Sequence, residues 1–154
     1  MDLEFRRFRQ NHYPEYASWF VDPELNRWLG PMGTDWLDAV LSEPESEGAT
    51  WAVFRSEELV AVVETGFDPQ DPSLATIRGI ATKPALRRQG IGTAVLQLLF
   101  DRHAQRDITE HITFISLRNP DSTRFHDRLG FVRTATPPNE HGYAEWRRTG
   151  KDEG

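Results

Sequence analysis

Apolar and polar positions along the chain follow two rhythms, which predict strands and helices in a definite order. Alternation with a period of two, carried by β-branched and aromatic residues between turn signals, favours a strand. By these criteria we predict strands at residues 3–9, 51–54, 59–67, 74–82, 112–117, 131–133 and 143–147. Gly79 interrupts the fourth of them, and such a glycine typically marks a bulge or the close approach of a ligand.

Helical spacing of apolar residues predicts a helix from about 90 to 103, with a buried stripe formed by Ile91, Val95, Leu98 and Leu99. A shorter helix should follow the N-cap residue Asn119, with Pro120 in its first position, and end at Gly130. In chain order the elements are a strand, short helices, three strands, a helix, a strand, a helix and two strands. This order predicts a mixed α/β sheet with helices on its faces.

An aromatic-rich stretch between residues 12 and 48 is divided by prolines and glycines into the short helices. We expect its aromatic side chains in the core, with the alternative that some of them line a binding pocket. They are Tyr13, Tyr16, Trp19, Phe20, Trp28 and Trp36.

The composition limits the classes to which the protein can belong. A length of 154 residues suits one domain, predicted at 1–149, with a flexible tail at 150–154. The sequence contains no cysteine, and no apolar run approaches the ~18 residues that cross a bilayer. Because the first residues also lack the apolar core of a signal peptide, we expect a cytoplasmic protein without membrane contact.

Charge is unevenly distributed along the chain. The formal net charge of −6 argues against broad binding to nucleic acid. Lys83, Arg87 and Arg88 nevertheless lie in a short stretch without acidic residues. A small cationic region on an acidic protein favours a compact anionic ligand over a polymer.

That region contains a glycine-rich turn between a predicted strand and a predicted helix, Arg87-Arg88-Gln89-Gly90-Ile91-Gly92. The first backbone N–H groups of a helix have no intrahelical partner, and together with the helix dipole they can bind phosphate. Glycines let the backbone approach a ligand where a β-carbon would intrude. On spacing alone, a tight turn without a ligand is an equal alternative.

Two common nucleotide motifs do not fit the turn. No Lys-Ser/Thr pair follows Gly92 as a P-loop requires. Val95 stands where the dinucleotide fingerprint has its third glycine, and the strand at 112–117 offers no acidic residue for a ribose.

The turn resembles the acetyl-CoA motif of the GNAT acetyltransferases, Arg/Gln-x-x-Gly-x-Gly/Ala, which here is Arg87-x-x-Gly90-x-Gly92. Upstream, residues 80–84 stand where that family has an apolar strand end followed by a proline. Downstream, Asn119-x-x-Ser122 and the segment 125–131 (FHDRLGF) are similar to the family's Asn-x-x-Ala/Ser and Leu-Tyr-x-x-Leu-Gly-Phe patterns. The resemblance covers about residues 74–131. It implies a mixed, mostly antiparallel sheet of about six to seven strands, an α/β fold also classed as α+β, splayed at the cofactor site.

The resemblance also implies which residues hold acetyl-CoA as a co-substrate, with no metal. The strand end would bond to the pantetheine arm, the turn would cradle the diphosphate, and the second motif would line the arm. The implied residues are Ile80, Ala81, Thr82, Arg87, Arg88, Gln89, Gly90, Ile91, Gly92, Thr93, Asn119, Ser122 and Phe125.

The implied reaction is direct attack of a neutral amine on the thioester, with a backbone N–H of Ile80 or Thr82 as oxyanion donor. His126 stands where the family commonly carries a tyrosine that protonates the leaving thiolate. It would donate as an imidazolium or orient a water, and the alternative is a packing role. Glu64 in an apolar strand is the candidate general base; the alternatives are a solvent-facing carboxylate, a partner for Arg78, or a water chain in its place.

Other functions and partners stay open at this point. The acceptor would be a small-molecule or peptide amine, mildly favoured to be cationic by the net acidity. A module that senses acyl-CoA without turning it over is one alternative, and a nucleotide-binding domain of another class is a second. A homodimer is also open. The remaining histidines lack metal-ligand spacing and are expected at the surface or hydrogen-bonded: His12, His103, His111 and His141.

Overall fold

The computed structural model describes residues 1–150, and within that range the chain forms one sheet of seven strands with five α-helices. The strands are β1 (Glu4–Arg7), β2 (Gly48–Arg55), β3 (Glu58–Phe67), β4 (Leu74–Thr82), β5 (Glu110–Ser116), β6 (Val132–Arg133) and β7 (Tyr143–Thr149). The helices are α1 (Tyr13–Ser18), α2 (Pro23–Leu29), α3 (Thr34–Ser42), α4 (Ile91–Ala104) and α5 (Pro120–Arg128). In this described range, no helix has both the length and the apolar character needed to cross a membrane.

The strands lie in the order β1-β2-β3-β4-β5-β7-β6, and every neighbouring pair is antiparallel except β4 and β5. Parallel neighbours need a long crossover connection, and α4 supplies it between β4 and β5. The prediction of an α/β fold with a mixed, mostly antiparallel sheet is confirmed.

Predicted and observed strands differ mainly at their ends. β1 is shorter than the predicted 3–9, and β5 is shifted toward the N-terminus relative to the predicted 112–117. β2 begins at Gly48 rather than 51, because its first three residues pair with Gly66, Thr65 and Glu64 of β3. Pairing with a neighbouring strand thus overrides weak local propensity. The tail predicted at 150–154 lies outside the described residues, apart from Gly150.

One face of the sheet is covered by α4, which lies within one residue of its predicted bounds. The predicted stripe is correct at Ile91, Val95 and Leu99, all of which are buried. It is wrong at Leu98, which is half-buried, while Leu96 is fully buried. The buried face follows 91, 95 and 99 and widens toward 96 and 100, because residues four apart lie above one another on a helix.

The opposite face is covered by α1, α2 and α3, which are formed by the aromatic-rich stretch. Tyr16, Trp19 and Phe20 are buried there together with Phe8. The rings of Tyr16 and Trp19 meet edge to face, with centroids 5.4 Å apart. The expectation of an aromatic core is confirmed for these residues, whereas Trp28 lines the cleft between β4 and β5.

β4 and β5 pair only over their first halves, Leu74–Ile77 with Glu110–Thr113. Beyond this point β4 continues to pair with β3 and β5 with β7, so the two strands part and leave a cleft between them. A bulge lies where they separate, since Glu64 opposes Gly79 whereas Thr65 opposes Ile77. Arg78 is therefore the extra residue. The predicted bulge beside Gly79 and the predicted splay are both confirmed.

Two histidines form a buried pair at the end of the sheet away from the cleft. The Nδ1 atom of His103 lies 2.8 Å from the Nε2 atom of His111, and the rings are nearly parallel. Both side chains are buried, and the Nδ1 atom of His111 has no hydrogen-bond partner within residues 1–150. Burial, with Arg106 and Arg102 near His103 and Arg148 near His111, lowers the pKa of both imidazoles.

Because both pKa values are lowered in the folded state, the pair contributes stability that is fully present above the unfolded pKa of about 6.5 and is lost as the pH falls. We expect His103→Gln to flatten the decline of the unfolding free energy between pH 7 and 5, by up to about 1.4 kcal/mol per pH unit for one proton. The glutamine amide can still donate to His111. Urea unfolding at both pH values measures the slope, with the exposed His141→Gln as control. An unchanged slope in His103→Gln would contradict the expectation.

Candidate active site

The cleft between the parted strands has a volume of about 680 Å³ and gathers most of the residues predicted to bind the cofactor. Gln89 is the exception, since among the described residues it is not part of the lining. The predicted residues that line the cleft are Ile80, Ala81, Thr82, Arg87, Arg88, Gly90, Ile91, Gly92, Thr93, Asn119, Ser122, Phe125 and His126.

Along the edge of β4 that faces the cleft, the backbone N–H and C=O groups of Ile80 and Thr82 have no partner strand among the described residues. The N–H of Lys83 donates to the carbonyl of Val60 on β3 at 2.9 Å. Hydrogen-bonded and non-hydrogen-bonded residues alternate along an antiparallel pair, so Ala81 bonds β3 in the same way while Ile80 and Thr82 point away from it. The backbone N–H and C=O groups of Ala81 therefore bond β3. Of the three residues predicted to bond the pantetheine arm, only Ile80 and Thr82 have backbone groups that point into the cleft.

The glycine-rich turn leaves its backbone donors without partners inside the helix. The first helical bond of α4 runs from the N–H of Ala94 to the carbonyl of Gly90, so the three preceding N–H groups, at 91, 92 and 93, have none. Gly90 has a φ of +78°, a left-handed conformation that glycine adopts without strain. A β-carbon on Gly92 would lie 3.2 Å from the ring of Phe125, so a larger residue there would require the ring to shift by a few tenths of an ångström.

Two of the three cations beside the turn are paired with carboxylates, whereas Arg88, which lines the cleft, forms no ion pair within residues 1–150. Lys83 lies 3.1 Å from Glu58 and 3.4 Å from Glu15. Arg87 reaches α2, where both of its terminal nitrogens bond the carboxylate of Asp22. The sequence could not reveal these partners, because each is distant along the chain. Within the described residues, the turn therefore keeps one unpaired cation, Arg88, beside its backbone N–H groups.

The second motif forms the start of α5 as predicted. The side-chain oxygen of Asn119 accepts a hydrogen bond from the N–H of Ser122 at 3.1 Å, which caps the helix. The helix ends at Arg128, and Gly130 follows with a φ of +93°. The cap thus fixes the segment that carries Phe125 and His126 against the cleft.

His126 is buried, and its hydrogen bonds fix its tautomer. Its Nδ1 atom lies 2.8 Å from the carbonyl oxygen of Ser122, which can only accept, so Nδ1 carries the proton. The Nε2 atom of the neutral ring then has a lone pair. Burial lowers the pKa of His126, an effect that the bond to Ser122 partly opposes. The neutral ring thus offers an acceptor where the family's tyrosine offers a donor.

Glu64 lies beneath the bulge, is half-buried, and bonds Trp36 rather than Arg78. Its Oε1 atom accepts a hydrogen bond from the indole N–H of Trp36 at 3.1 Å, whereas Arg78 bonds Glu43 at 2.8 Å. The alternative that Glu64 is the partner of Arg78 is therefore wrong, while a water chain in place of Glu64 stays an open alternative. Burial raises the pKa of Glu64, although the Trp36 hydrogen bond and the charge of Arg78 act in the opposite direction.

Gly79 separates Glu64 from the cleft. A β-carbon built on this glycine would lie 3.6 Å from the Oε2 atom of Glu64 and 3.3 Å from Leu29. Glu64 itself is not among the residues that line the cleft, whereas Gly79 and Leu29 are. The absent side chain therefore leaves a gap between the buried carboxylate and the cleft.

Several residues at the cleft were not found from the sequence. Leu25, Trp28 and Leu29 of α2 form one wall, and Phe114 with Tyr143 lies opposite. The aromatic stretch was recognised as a possible pocket wall, but no spacing distinguished Trp28 from the core aromatics. Only the three-dimensional position of α2 reveals it.

The comparisons with known proteins agree with this geometry. A model of the Acetyltransferase (GNAT) family matches residues 8–131. The structure is similar to that of the aminoglycoside acetyltransferase AAC(6')-Ib in complex with paromomycin and acetyl-CoA, with a TM-score of 0.81, 15% identity and coverage of 97% of this chain and 94% of that one. It is also similar to the ribosomal-protein-S18-alanine N-acetyltransferase from Escherichia coli, with a TM-score of 0.73, 16% identity and coverage of 99% and 97%.

A third similar structure is a spermidine N-acetyltransferase chimera from Vibrio cholerae, with a TM-score of 0.74, 12% identity and coverage of 97% of this chain and 96% of that one. At these identities the likeness shows a shared fold. No curated protein sequence matches the chain. The family model spans most of the 154 residues. Both motifs predicted from the sequence, the turn at 87–92 and the segment that begins at Asn119, contribute residues to the lining of the cleft. The chain therefore belongs to the acetyltransferase (GNAT) family, whose members are acetyl-CoA-dependent N-acetyltransferases.

Proposed function

We propose that this protein transfers the acetyl group of acetyl-CoA directly to a primary amine of a small molecule or peptide. The observation that carries the proposal is a cleft lined by the backbone of Ile80 and Thr82 and by the turn before α4, with the carboxylate of Glu64 behind Gly79 in its wall. The edge of β4 matches the pantetheine arm of acetyl-CoA, the turn matches its diphosphate, and Glu64 matches the attacking amine.

The arm and the diphosphate of acetyl-CoA would be held mainly by backbone groups. The pantetheine arm is an extended chain with amides, and it can pair with the free edge of β4 as a strand would. The N–H groups at the start of α4 suit a diphosphate, because the helix dipole adds to them. Phe125 and Ser122 would contact the arm from α5.

The acetyl transfer itself requires one base and one oxyanion donor. Glu64 takes the proton of the ammonium acceptor, directly or through a water in the gap left by Gly79. The neutral amine then attacks the thioester carbonyl, and a backbone N–H of the β4 edge stabilises the oxyanion. The C–S bond breaks, and the thiolate leaves with the electron pair.

The leaving thiolate must receive a proton, and His126 can assist with its lone pair. A water that donates one hydrogen bond to the Nε2 atom of His126 can pass its other hydrogen to the sulfur while it takes up the proton that the acylated nitrogen loses. This role agrees with the Nδ1 hydrogen bond to Ser122, whereas donation from Nε2 would require a buried imidazolium.

The acceptor is best identified by measuring thiol release from acetyl-CoA with a panel of amines. The panel should contain aminoglycosides, polyamines, amino acids and peptides with free N-termini, since the similar structures include enzymes named for aminoglycosides, spermidine and a ribosomal-protein alanine. The net charge of −6 favours a cationic acceptor. Release that depends on one class of amine would support the proposal.

A second candidate function is sensing of acyl-CoA without turnover. It is favoured by one observation, namely that His126 replaces a proton donor with an acceptor. The two functions differ in the same assay, because a sensor would bind acetyl-CoA in calorimetry and release no thiol above the rate of hydrolysis with any amine.

We expect Glu64→Gln to lower kcat/KM by about 10²-fold or more, because general-base catalysis typically contributes 10²–10⁴-fold. The glutamine oxygen can still accept from Trp36, so the local packing is kept. In the wild type, activity should rise with pH through the raised pKa of Glu64, since the base acts when ionised. A pH–rate profile should lose this rise in the variant. An unmoved profile would remove Glu64 from the mechanism.

Gly79→Ala should lower kcat while leaving the affinity for acetyl-CoA within about twofold. The added methyl group would occupy the gap between Glu64 and the cleft, and alanine tolerates the backbone conformation of this residue because its φ is not in the left-handed region. Steady-state kinetics and calorimetry measure the two quantities. Ala81→Gly serves as a control on the same strand and face, although it loses a buried methyl group. Equal kcat in Gly79→Ala and wild type would show that the gap is not used.

His126→Phe should reduce turnover by about tenfold to a hundredfold, at or below the lower end of acid–base contributions, with little change in acetyl-CoA affinity. The phenyl ring can keep the edge-to-face contact with Phe131, where the centroids are now 5.2 Å apart. The quantities to measure are the rate constant of acetyl transfer in single-turnover experiments and the dissociation constant for acetyl-CoA. Unchanged turnover would leave His126 with a packing role alone.

A further inference from the structure

We propose that Arg87 and Asp22 are positioning residues that couple the diphosphate turn to α2, the wall of the acceptor side. The proposal rests on the function proposed above, since it assigns the turn to acetyl-CoA. It gives the first residue of the glycine-rich motif a role that is directed toward the acceptor rather than toward phosphate.

The connection between the two elements is a bidentate ion pair. The Nη1 atom of Arg87 lies 3.0 Å from Oδ1 of Asp22, and its Nη2 atom bonds Oδ2 of the same carboxylate. The carboxylate of Glu24 lies 3.7 Å from Nη1. Two parallel charge-assisted hydrogen bonds fix the orientation of both groups, which a single contact would not do. The pair spans 65 positions of sequence.

Asp22 also begins α2. Its Oδ2 atom accepts a hydrogen bond from the N–H of Leu25 at 3.0 Å, as an N-cap residue does. The Arg87 guanidinium and this N–H together lower the pKa of Asp22 to about 2, so the carboxylate is ionised at any working pH. One carboxylate thus holds the helix start and the arginine of the turn at the same time.

α2 depends on such contacts because it is short. It has seven residues, and isolated helices of that length are unstable in water. Its side chains Leu25, Trp28 and Leu29 line the cleft, and Leu29 lies against Gly79 beside Glu64. Displacement of α2 would therefore move the surface that an acceptor amine meets.

Through the ion pair, the conformational order of the turn and that of α2 depend on each other. A ligand that fixes the backbone of residues 88–93 restrains Arg87, which restrains Asp22 and the start of α2. Coupling of this kind is reciprocal, so an ordered α2 favours the ligand at the turn by the same factor. Acetyl-CoA would thus prepare the acceptor wall before the amine binds.

The experiment measures amide hydrogen exchange in the full chain with the nucleotide part of coenzyme A as probe. This compound, 3′-phospho-ADP, carries the diphosphate but lacks the pantetheine arm that could touch α2 directly. In the wild type a saturating amount should slow exchange in residues 88–93 and also in 23–29, the latter by about fivefold or more. In Asp22→Asn the turn should still be protected, and the protection of 23–29 should fall to less than twofold.

The variants are chosen to isolate the ion pair. Asparagine caps helices as well as aspartate does, so Asp22→Asn keeps the bond to Leu25 and removes the charge. Arg87→Gln removes the same pair from the other side, and the double variant should be no worse than either single one. Glu15→Gln is the control, because it removes a partner of Lys83 on the neighbouring helix α1 and leaves Arg87 untouched. It should behave as the wild type.

Each outcome decides a different question. Protection of 23–29 that survives in both Asp22→Asn and Arg87→Gln overturns the coupling. Protection confined to the turn in the wild type overturns it as well. If neither the nucleotide nor complete coenzyme A protects residues 88–93, the proposed function fails instead. With an acceptor from the amine panel, saturating nucleotide should lower the dissociation constant for the amine about fivefold in the wild type and less than twofold in Asp22→Asn, and saturating amine should change the dissociation constant for the nucleotide by the same factors; equal factors in the two proteins would contradict the assignment.

Discussion

The site depends on one constraint, which is that β4 and β5 stop pairing after their first halves. A backbone N–H or carbonyl at the edge of a sheet needs a partner, and here Ile80 and Thr82 face a cleft instead of a strand. The bulge at Arg78 makes the parting possible, because it bends β4 away from β5 while its pairing with β3 continues. The same bulge places Gly79 over Glu64, so the opening for the arm and the gap to the carboxylate have a single structural cause.

The sequence predicted the parts of the site whose chemistry is local. The turn at 87–92 and the cap at Asn119 are set by residues within a few positions of each other, and both were found where expected. The bulge was signalled by a glycine inside a strand. Contacts between distant segments could not be predicted: no pattern indicated that Arg87 pairs with Asp22 or that Glu64 accepts a hydrogen bond from Trp36. The periodicity of apolar and polar residues carries no information about such partners.

The positive charge at the turn illustrates how the fold changes the meaning of a motif. Arg87 and Lys83 contribute to the cationic region of the sequence, yet in the structure Arg87 is paired with Asp22, and Lys83 with Glu15 and with Glu58, the first residue of β3. If a diphosphate binds at the turn as proposed, fixed backbone dipoles and Arg88 would attract it, and the dipoles need no side-chain ordering when the ligand binds. The side chains are free to connect the turn with the rest of the cleft.

The two ionisable groups of the cleft have pKa shifts that limit how protons can move. A base at Glu64 acts only above its raised pKa, and an acid at His126 would act only below its lowered pKa. As one pKa rises and the other falls, the pH range in which both groups hold the required charge becomes narrow or disappears. The opposite directions of the two shifts therefore favour an ionised Glu64 together with a neutral His126 over an ionised Glu64 together with an imidazolium. A proton delivered to the thiolate must then originate outside the ring, and the lone pair on Nε2 is suited to orient the water that carries it.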